Sequence, residues 1–251
     1  MKFGKSKLRK KRASNSSTHS STYILSDKSA FYIKEAYCAV RTNLSFALKD
    51  VEGCKIIAVT SAVAGDGKTT ASVNLAISIA QTNSRVLLID ADMRKGSVRR
   101  YLDLQRTNGL SSILSGVSKV VDEVIIKTPY GFDCMTAGPT PTNPAELLVS
   151  DTTKDMLEIL SKHYDYIIID TPPVAIVSDA LVLSKLVSGF VVVVSEMSST
   201  IPEINETVKA LEFSEAKILG FVYNCSEVNK SYANRYKYFG RKNYNYYRAY
   251  K

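Results

Sequence analysis

The sequence predicts an α/β fold of three layers, in which helices cover both faces of a central, mostly parallel sheet. Three observations support this prediction. Short apolar runs alternate with longer segments of helical spacing, and the runs are apolar on both faces, as buried parallel strands are. The chain has 251 residues, of which 45% are hydrophobic. It can therefore bury one large core, and we expect a single folded domain.

The predicted elements follow one another in a simple order. A helix is expected over residues 29–48, where SAFYIKEAYCAVRTNLSFAL begins with a serine in the capping position. The predicted strands are KIIAVT at 55–60, RVLLID at 85–90, YIIID at 166–170, FVVVV at 190–194 and KILGFVYN at 217–224. Further helices are expected near 68–82, 151–162 and 202–213.

The two ends of the chain differ from its middle. Residues 1–28 are a basic, Ser-rich arm that we expect to be flexible, 29–228 the folded domain, and 229–251 a basic, tyrosine-rich tail. The first twelve residues and the tail hold seven cations each, whereas the net charge of the chain is +9, so the domain is acidic. Such ends suit an anionic membrane surface, a nucleic acid or an acidic partner, and equally a solvated, solubilising role.

Cysteine usage and hydropathy exclude several classes of protein. The four cysteines are widely spaced and form no C-x-x-C pair, so neither a zinc site nor a disulfide framework is predicted. Polar residues follow the basic start MKFGKSKLRKKR, and no run of about 18 apolar residues occurs. We therefore expect a cytoplasmic protein without a signal peptide or a membrane-spanning segment.

The stretch SAVAGDGKTT lies between the first predicted strand and a helix. Backbone N–H groups and a helix N-terminus arranged in this way surround a phosphate chain, which Gly65 and Gly67 allow to approach closely. Lys68 can reach the terminal phosphates, and the Thr69 hydroxyl can bind Mg²⁺. The predicted nucleotide-binding residues are Gly65, Asp66, Gly67, Lys68, Thr69 and Thr70. The strict pattern has Gly where Ala62 stands, and the alternative is a tight strand-to-helix turn without a ligand.

Three acidic residues stand at the ends of two other predicted strands. Asp90 and Asp92 end LLIDAD, and Asp170 ends YIIID, so all three belong to the carboxyl edge of a parallel sheet, where open α/β folds bind ligands. A single strand-end Asp is usually a cap or a turn residue, and we assign Asp179 to that class. Three carboxylates beside a phosphate loop are better explained by Mg²⁺ and by a base for a nucleophile.

These motifs together resemble those of a known family. SAVAGDGKTT, LLIDADMR and IIIDTPP are similar to the Walker A, Walker A′ and Walker B motifs of the bacterial tyrosine kinases, a branch of the P-loop ATPases related to the MinD and ParA type. NGLSSILSG at 108–116, AGPTPTNPAELLVS at 137–150 and the tyrosine-rich tail extend the resemblance. It implies a P-loop ATPase fold and a protein-tyrosine autokinase that uses ATP and Mg²⁺. Motifs of eukaryotic-type kinases, such as H-R-D and D-F-G, are absent.

The resemblance implies a role for each residue that matches a motif. Lys68 would bind the phosphates, and Thr69, Asp92 and Asp170 would hold Mg²⁺. Asp90 would be the base that accepts the proton of the tyrosine. Phosphoryl transfer is consistent with these roles, because it asks a protein mainly for positioning and for neutralisation of charge.

Arg94 and Asn224 are two further candidates. Arg94 would add positive charge to the catalytic set, and Asn224, which ends the last strand, would bind adenine through its amide. Both have structural alternatives, because Arg94 could form a surface ion pair and Asn224 could be a turn former.

The resemblance makes the tail the substrate. The predicted phosphorylation sites are Tyr232, Tyr236, Tyr238, Tyr244, Tyr246, Tyr247 and Tyr250. A basic tail would be attracted to the acidic site of a neighbouring subunit. The alternatives are that the tyrosines stack on single-stranded nucleic acid or that the segment is merely adhesive, and the predicted ATP site argues against nucleic-acid binding.

Two positions bear on assembly and on subfamily. The family's oligomerisation motif is E-x-x-R-x-x-R, of which Glu35 and Arg41 are present, while Cys38 replaces the middle arginine. A ring-shaped homo-oligomer is expected on this resemblance. MinD-type proteins have a signature lysine early in the loop, where Val63 and Ala64 stand, so the MinD alternative is disfavoured.

The resemblance also implies a cellular setting. Such kinases regulate the synthesis and export of capsular or other extracellular polysaccharide, and in the split form of Gram-positive bacteria they pair with a separate transmembrane activator. A cognate protein-tyrosine phosphatase is expected, with the protein held at the inner face of the membrane by its activator and its basic arm. The alternative function is a non-catalytic MinD- or ParA-like switch that uses ATP to scaffold a membrane assembly.

Overall fold

The computed structural model describes residues 23–105 and 108–224. The strands are β1 (Lys55–Ser61), β2 (Val86–Asp90), β3 (Ile125–Lys127), β4 (Asp133–Met135), β5 (Tyr166–Asp170), β6 (Gly189–Ser195) and β7 (Ile218–Asn224). The α-helices are α1 (Phe31–Ala47), α2 (Lys68–Ala80), α3 (Ser97–Tyr101), α4 (Leu110–Leu114), α5 (Pro144–Val149), α6 (Asp151–Ser161) and α7 (Ile201–Phe213). Two 3₁₀ helices occupy Val121–Val124 and Ser178–Leu183.

A seven-stranded sheet forms the centre of the domain, with the strand order β3-β4-β2-β5-β1-β6-β7. All neighbouring strands are parallel except β3, which runs antiparallel to β4 at the edge. The five predicted strands and the four predicted helices are all present. Because β1, β2, β5 and β6 are parallel neighbours, their carboxyl ends meet at one edge of the sheet.

Alternate residues of each strand contribute to different faces of the sheet. In β2, Val86 and Leu88 pack with α1 and α2, whereas Leu87 and Ile89 pack with α4, α5 and α6. On the second face, a further cluster joins Phe190 and Val192 of β6 to Leu211 of α7. Both faces are therefore covered by helices, which confirms the predicted three-layer architecture.

The folded unit begins earlier than the predicted boundary at residue 29. Ile24 and Leu25 are buried in the core beside α1 and α2. The Leu25 N–H donates to Asn74 Oδ1 at 2.7 Å, and Asn74 Nδ2 donates to the Tyr23 carbonyl at 2.8 Å. The sequence pattern places the start of the domain too late, because two apolar residues after a Ser-rich segment are too few to show the periodicity of a helix or a strand. The first 22 residues lie outside the described part of the chain.

The start of α1 differs from the prediction as well. Ala30 is the N-terminal flanking residue, and no side chain caps the helix. The Ser29 hydroxyl instead accepts the N–H of Ser26 at 3.0 Å, within the preceding turn. The cap predicted at Ser29 is therefore wrong.

Several short elements between β2 and α6 were not predicted. They include α3, α4, α5 and the antiparallel pair of β3 and β4, none of which exceeds six residues. Segments this short carry too few apolar positions to show a period. Within residues 23–105 and 108–224, no helix is both long and apolar enough to cross a bilayer.

Candidate active site

The phosphate loop joins β1 to α2 in a conformation that requires glycine. Gly65 and Gly67 have φ angles of 101° and 86°, in the left-handed region that L-residues rarely adopt. No side chain in the described part of the chain caps α2, so its first-turn N–H groups, including that of Thr70, are available to an anion. A Cβ at Gly65 would meet no atom of residues 23–105 and 108–224 within 4 Å, so among these residues the loop borders open space.

Asn224 packs directly against this loop. Its Nδ2 donates to the Asp66 carbonyl at 2.8 Å, and a Cβ on Gly67 would lie 1.9 Å from the same nitrogen. Gly67 is thus needed both for its backbone angle and for the approach of Asn224. The adenine contact predicted for Asn224 stays a prediction, while the structure places the amide on the backbone of the phosphate loop.

Asp66 is a fully buried anchor of the loop. One carboxylate oxygen, Oδ2, accepts the N–H of Val63 at 3.1 Å, within the loop itself. The other, Oδ1, accepts the hydroxyls of Ser198 and Ser199, after β6, at 2.6 and 2.8 Å. The two serines were not predicted from sequence. They stand 132 and 133 positions after Asp66 in the chain, and only the fold brings them into contact with it.

Lys68 lies among the carboxylates that were predicted to stand at this edge of the sheet. Its Nζ is 3.1 Å from Asp92 Oδ2 and 3.9 Å from Asp170 Oδ1. Burial alone would lower the pKa of Lys68, but the attraction of Asp170, Asp92 and Asp90 outweighs burial and raises the pKa above its usual value. Lys68 therefore carries its charge at neutral pH and lies where a phosphate chain could exchange for the carboxylates.

Asp170 is held by two hydroxyls of α2. Thr69 Oγ1 donates to Asp170 Oδ2 at 2.7 Å, and Ser72 Oγ donates to Asp170 Oδ1 at 3.1 Å. Burial raises the pKa of Asp170, against the opposing attraction of Lys68 and the two hydroxyl bonds. Ser72 was missed from sequence, although it stands one helical turn beyond Lys68 and thus on the same face of α2.

Asp90 is enclosed at the end of β2, directly opposite Asp170 in the register of β2 with β5. Its Oδ1 accepts the N–H of Asp92 at 3.2 Å, and its Oδ2 accepts that of Val98 at 2.9 Å. Burial, followed by repulsion from Asp170, raises the pKa of Asp90 to about 8. A carboxyl with such a pKa can exchange a proton near neutral pH.

Arg94 forms a two-pronged ion pair with Asp179. Arg94 Nε and Nη2 lie 2.8 and 3.0 Å from the two carboxylate oxygens of Asp179, which is buried. The structural alternative for Arg94, an ion pair, is thus present in this structure. Asp179 caps no helix, because Val177 flanks its 3₁₀ helix and makes no side-chain cap. Its assignment as a cap or turn residue was wrong, since a distant arginine cannot be identified from sequence.

The donors at this edge of the sheet fit a nucleotide with Mg²⁺. The Thr69 hydroxyl and the carboxylates of Asp92 and Asp170 could supply oxygen ligands, the type that Mg²⁺ prefers. The uncapped N-terminus of α2 and the charge of Lys68 suit a phosphate chain.

Comparisons with known proteins agree with this geometry. Residues 54–213 match the AAA domain family. The tyrosine-protein kinase YwqD of Bacillus subtilis is 38% identical over 208 residues, which are 83% of this chain and 86% of that protein. The putative tyrosine-protein kinase CapB of Staphylococcus aureus is 33% identical over 91% of this chain and 99% of its own length. The chain belongs to the bacterial tyrosine kinase family.

A solved structure extends the comparison to three dimensions. The kinase domain of the Escherichia coli tyrosine kinase Etk superposes with a TM-score of 0.73 at 37% identity, covering 76% of this chain and 75% of that domain. The P-loop ATPase fold predicted from the three Walker motifs is thereby confirmed.

The assembly motif of the bacterial tyrosine kinases is altered in this chain. Arg41 donates to the Ser78 carbonyl of α2, and its Nη2 lies 3.0 Å from Cys38 Sγ. Glu35 is exposed on α1. Arg41 is therefore engaged within its own chain, and the proposed role of Glu35 and Arg41 between subunits stays a prediction. The seven predicted tail phosphorylation sites lie outside the described residues.

Proposed function

We propose that this bacterial tyrosine kinase transfers the γ-phosphoryl group of ATP to tyrosines of its own tail. The arrangement of Lys68 between Asp92 and Asp170, beside an uncapped helix N-terminus, carries the proposal. In this arrangement a cation, oxygen ligands for a metal and backbone donors converge on one point, as phosphoryl transfer requires.

The phosphates of ATP would bind to the N–H groups of the loop and to Lys68. Thr69, Asp92 and Asp170 would hold Mg²⁺, which neutralises charge on the phosphoryl group when bound. Asp66 positions the loop through Val63, because its side chain is buried and its carboxylate accepts three hydrogen bonds. Asn224 would bind adenine after leaving the loop backbone.

In the transfer step, the tyrosine Oη forms a bond to the γ-phosphorus while the bond from that phosphorus to the β,γ-bridging oxygen breaks. ADP leaves with the electron pair of that bond, and the phenolic proton passes to Asp90, which accepts it only in its ionised form, the form that the charge of bound Mg²⁺ would favour. The N–H groups of Asp92 and Val98 hold both oxygens of Asp90, so the loop between them controls access to the base. Arg94 would contribute charge once released from Asp179.

The position of β7 supports the tail as the acceptor. Asn224, the last described residue, contacts the phosphate loop, so residues 225–251 are joined to the domain at the edge of the active site. The tail is basic and the site is acidic. We propose that the tail of one subunit enters the site of a neighbour within a homo-oligomer, with Glu35 and Arg41 at the contact.

The cellular role follows from family membership. We propose that the kinase regulates capsular or other extracellular polysaccharide synthesis and export. A separate transmembrane activator would hold it at the inner face of the membrane, and a cognate phosphatase would reverse its action. The same site could support a non-catalytic ATP-dependent switch, which would assemble with nucleotide but form no phosphotyrosine.

The deciding experiment maps phosphotyrosine by mass spectrometry in protein purified from its own host, where any activator is present. Wild type is compared with Lys68→Met and with Arg85→Met, a cation exchange at the opposite end of the sheet. We expect phosphate on the tail tyrosines of wild type and Arg85→Met, but not of Lys68→Met. Phosphate in all three would indicate another kinase, and phosphate in none would favour the switch.

A further inference from the structure

A small cavity lies beside the active site, between the segment that follows β2 and the segment that follows β4. It has a volume of about 110 Å³, and its lining includes Lys95, Gly96, Arg99, Thr136, Gly138 and Thr140. Pockets for nucleotide-sized ligands are larger, about 300–1,000 Å³. A cavity of this size suits a single small group such as a phosphate.

Two cations line this cavity and have no acidic partner within the described ranges, 23–105 and 108–224. Among the described residues, neither Lys95 nor Arg99 makes an ion pair. Within the described part of the chain, the Arg99 guanidinium makes one hydrogen bond, a long one of 3.5 Å from Nη1 to the carbonyl of Leu104. Arg99 is half-buried, so an anion beside it would be partly shielded from water.

Thr136 gives a second, independent indication of a ligand. It lines the cavity and is 1% exposed, yet its hydroxyl has no hydrogen-bond partner in the described structure. Its carbonyl is used, because it accepts the N–H of Leu110 at 2.8 Å. A buried hydroxyl without a partner costs stability, and a threonine hydroxyl can donate to an anion.

The cavity is connected to the transfer site through Asp92. The N–H of Lys95 donates to Asp92 Oδ1 at 3.1 Å, and the N–H of Gly96 donates to the Asp92 carbonyl at 2.7 Å. Asp92 itself contacts Lys68. An anion bound by Lys95 would therefore lie one hydrogen-bonded link from the predicted Mg²⁺ ligands.

The tail limits which anion could enter. No Asp or Glu follows Glu227, and residues 229–251 hold one serine, Ser231, against seven tyrosines, so phosphotyrosine is the main anionic group that their side chains could supply. The last four tail tyrosines, Tyr244, Tyr246, Tyr247 and Tyr250, are one to three residues apart. Such spacings span about 3–11 Å in an extended chain. A phosphotyrosine in the cavity would thus keep a second tyrosine close by.

We propose that this cavity binds a phosphotyrosine of the tail, with Lys95 and Arg99 pairing with the phosphate and Thr136 donating a hydrogen bond to it. The proposal rests on the proposed function and adds to it an order in which the tail tyrosines are phosphorylated. The first phosphorylation is slow, and each phosphate then anchors the tail so that a neighbouring tyrosine reaches the transfer site.

Binding is tested first, with the full chain after phosphatase treatment and without ATP. The probes are synthetic peptides of residues 241–251 with an amidated C-terminus, one unmodified and one phosphorylated at Tyr247. We expect the phosphopeptide to bind at least about tenfold more tightly, since hydrogen bonds to charged groups are strong. Free O-phosphotyrosine is a third probe, and competition by it would show that the phosphate group itself is recognised.

Matched variants separate the cavity from general charge attraction. Arg99→Gln and Lys95→Gln should each weaken phosphopeptide binding about tenfold, whereas Arg100→Gln, an exposed cation one position along α3, should not. Thr136→Val should weaken phosphopeptide binding while leaving the thermal midpoint unchanged or higher, because it removes an unpartnered hydroxyl. An equal loss in all three arginine and lysine variants, or none in Thr136→Val, would overturn the proposal.

A kinetic comparison separates this inference from the proposed function. With ATP, Mg²⁺ and host membranes that supply the activator, phosphorylation of the phosphopeptide should exceed that of the unmodified peptide, and Arg99→Gln should remove the difference while sparing the unmodified peptide. If neither peptide is phosphorylated but the binding differences persist, the anion site stands and the kinase proposal fails. If both peptides are phosphorylated equally, the kinase proposal stands and the ordering fails.

Discussion

Strands β2 and β5 lie side by side and carry charged residues at both ends, but the two ends are built in opposite ways. Where the strands begin, Arg85 and Asp165 form an attractive ion pair, 2.7 Å from Nη2 to Oδ1, with side chains 60% and 43% exposed. Where they end, two carboxyl groups, those of Asp90 and Asp170, stand opposite each other and are fully buried.

The difference separates a structural end from a functional one. An exposed ion pair joins two strand starts at little cost, because water still solvates both charges. Two buried carboxylates oppose folding, and in this structure Lys68 offsets them only in part, since both pKa values remain raised. Such an arrangement is expected where a ligand offsets the buried charge, and the following predictions test the contrast between the two ends.

The largest effect is expected for Lys68→Met. Removing the cation should lower tyrosine phosphorylation at least about a hundredfold, because charge on the transferred group would no longer be neutralised. It should also lower the free energy of unfolding by about 3 kcal/mol in metal-free buffer, since Asp92 and Asp170 lose their partner. Kinase assays and urea denaturation measure the two effects.

Arg85→Met is the matched control at the other end of the same strands. This substitution also deprives an aspartate, Asp165, of its cationic partner, but both side chains are exposed. Kinase activity should therefore be unchanged, and the urea midpoint should change little. Equal destabilisation by the two variants would contradict the contrast between buried and exposed ends. Adding Mg²⁺ should restore part of the stability of Lys68→Met and none of that of Arg85→Met.

The two ends should respond to pH with opposite sign. Burial raises the pKa of Asp90 to about 8, so between about pH 4 and that value the folded protein holds a proton that the unfolded chain has released. In metal-free buffer the contribution of Asp90 to the free energy of unfolding is fully present below the ordinary carboxyl pKa. It declines as the pH rises to about 8. The Arg85 side chain lowers the pKa of Asp165, whose contribution is complete above the ordinary carboxyl pKa and lost in stronger acid.

Asp90→Asn isolates the buried half of this prediction. The amide keeps the shape of the side chain but cannot titrate, so the decline in stability between pH 5 and about 8 should become smaller. Denaturation midpoints at several pH values in chelator provide the measurement. Wild-type stability that is constant or rising over this range would show that Asp90 is ionised in the metal-free fold.

An intermediate effect is expected for the double variant Ser198→Ala with Ser199→Ala. Both hydroxyls donate to Asp66 Oδ1, so their loss leaves a buried acceptor unpartnered, at a cost of about 1–3 kcal/mol. The phosphate loop would be held less firmly, and the KM for ATP should rise several-fold. The double variant Ser161→Ala with Ser214→Ala is the control, because those hydroxyls donate only to carbonyls of their own helices. Matching KM values would refute the role of Asp66.

The two ends of strands β2 and β5 differ in how well the sequence predicts them. Apolar runs and their final aspartates placed Asp90 and Asp170 at one edge of a parallel sheet, because strand direction alone brings carboxyl ends together. The pairing of Arg85 with Asp165 depends on which strands become neighbours, and an alternation of strands and helices does not contain that information. The phosphate loop was predictable for the opposite reason, since its chemistry is contiguous in sequence.

The residues that support the site were harder to predict than those that form it. Ser198 and Ser199 follow β6 without any motif, and Thr136 follows a three-residue strand too short to recognise. The two serines matter because their hydroxyls donate to the buried carboxylate of Asp66. Thr136 matters because it lines the cavity that Lys95 and Arg99 also line. Neither environment exists before the strands are ordered in space.

The smallest effect is expected for Asp165→Asn, at the exposed end. The asparagine can still accept the Arg85 N–H, which Asp165 Oδ2 accepts at 2.8 Å, while the ion pair is lost. The thermal midpoint should fall by less than about 2 °C, and 1 M salt should reduce even that difference, because exposed pairs are screened. A shift as large as that of Lys68→Met would mean that the start of β5 relies on this carboxylate as strongly as the active site relies on its lysine.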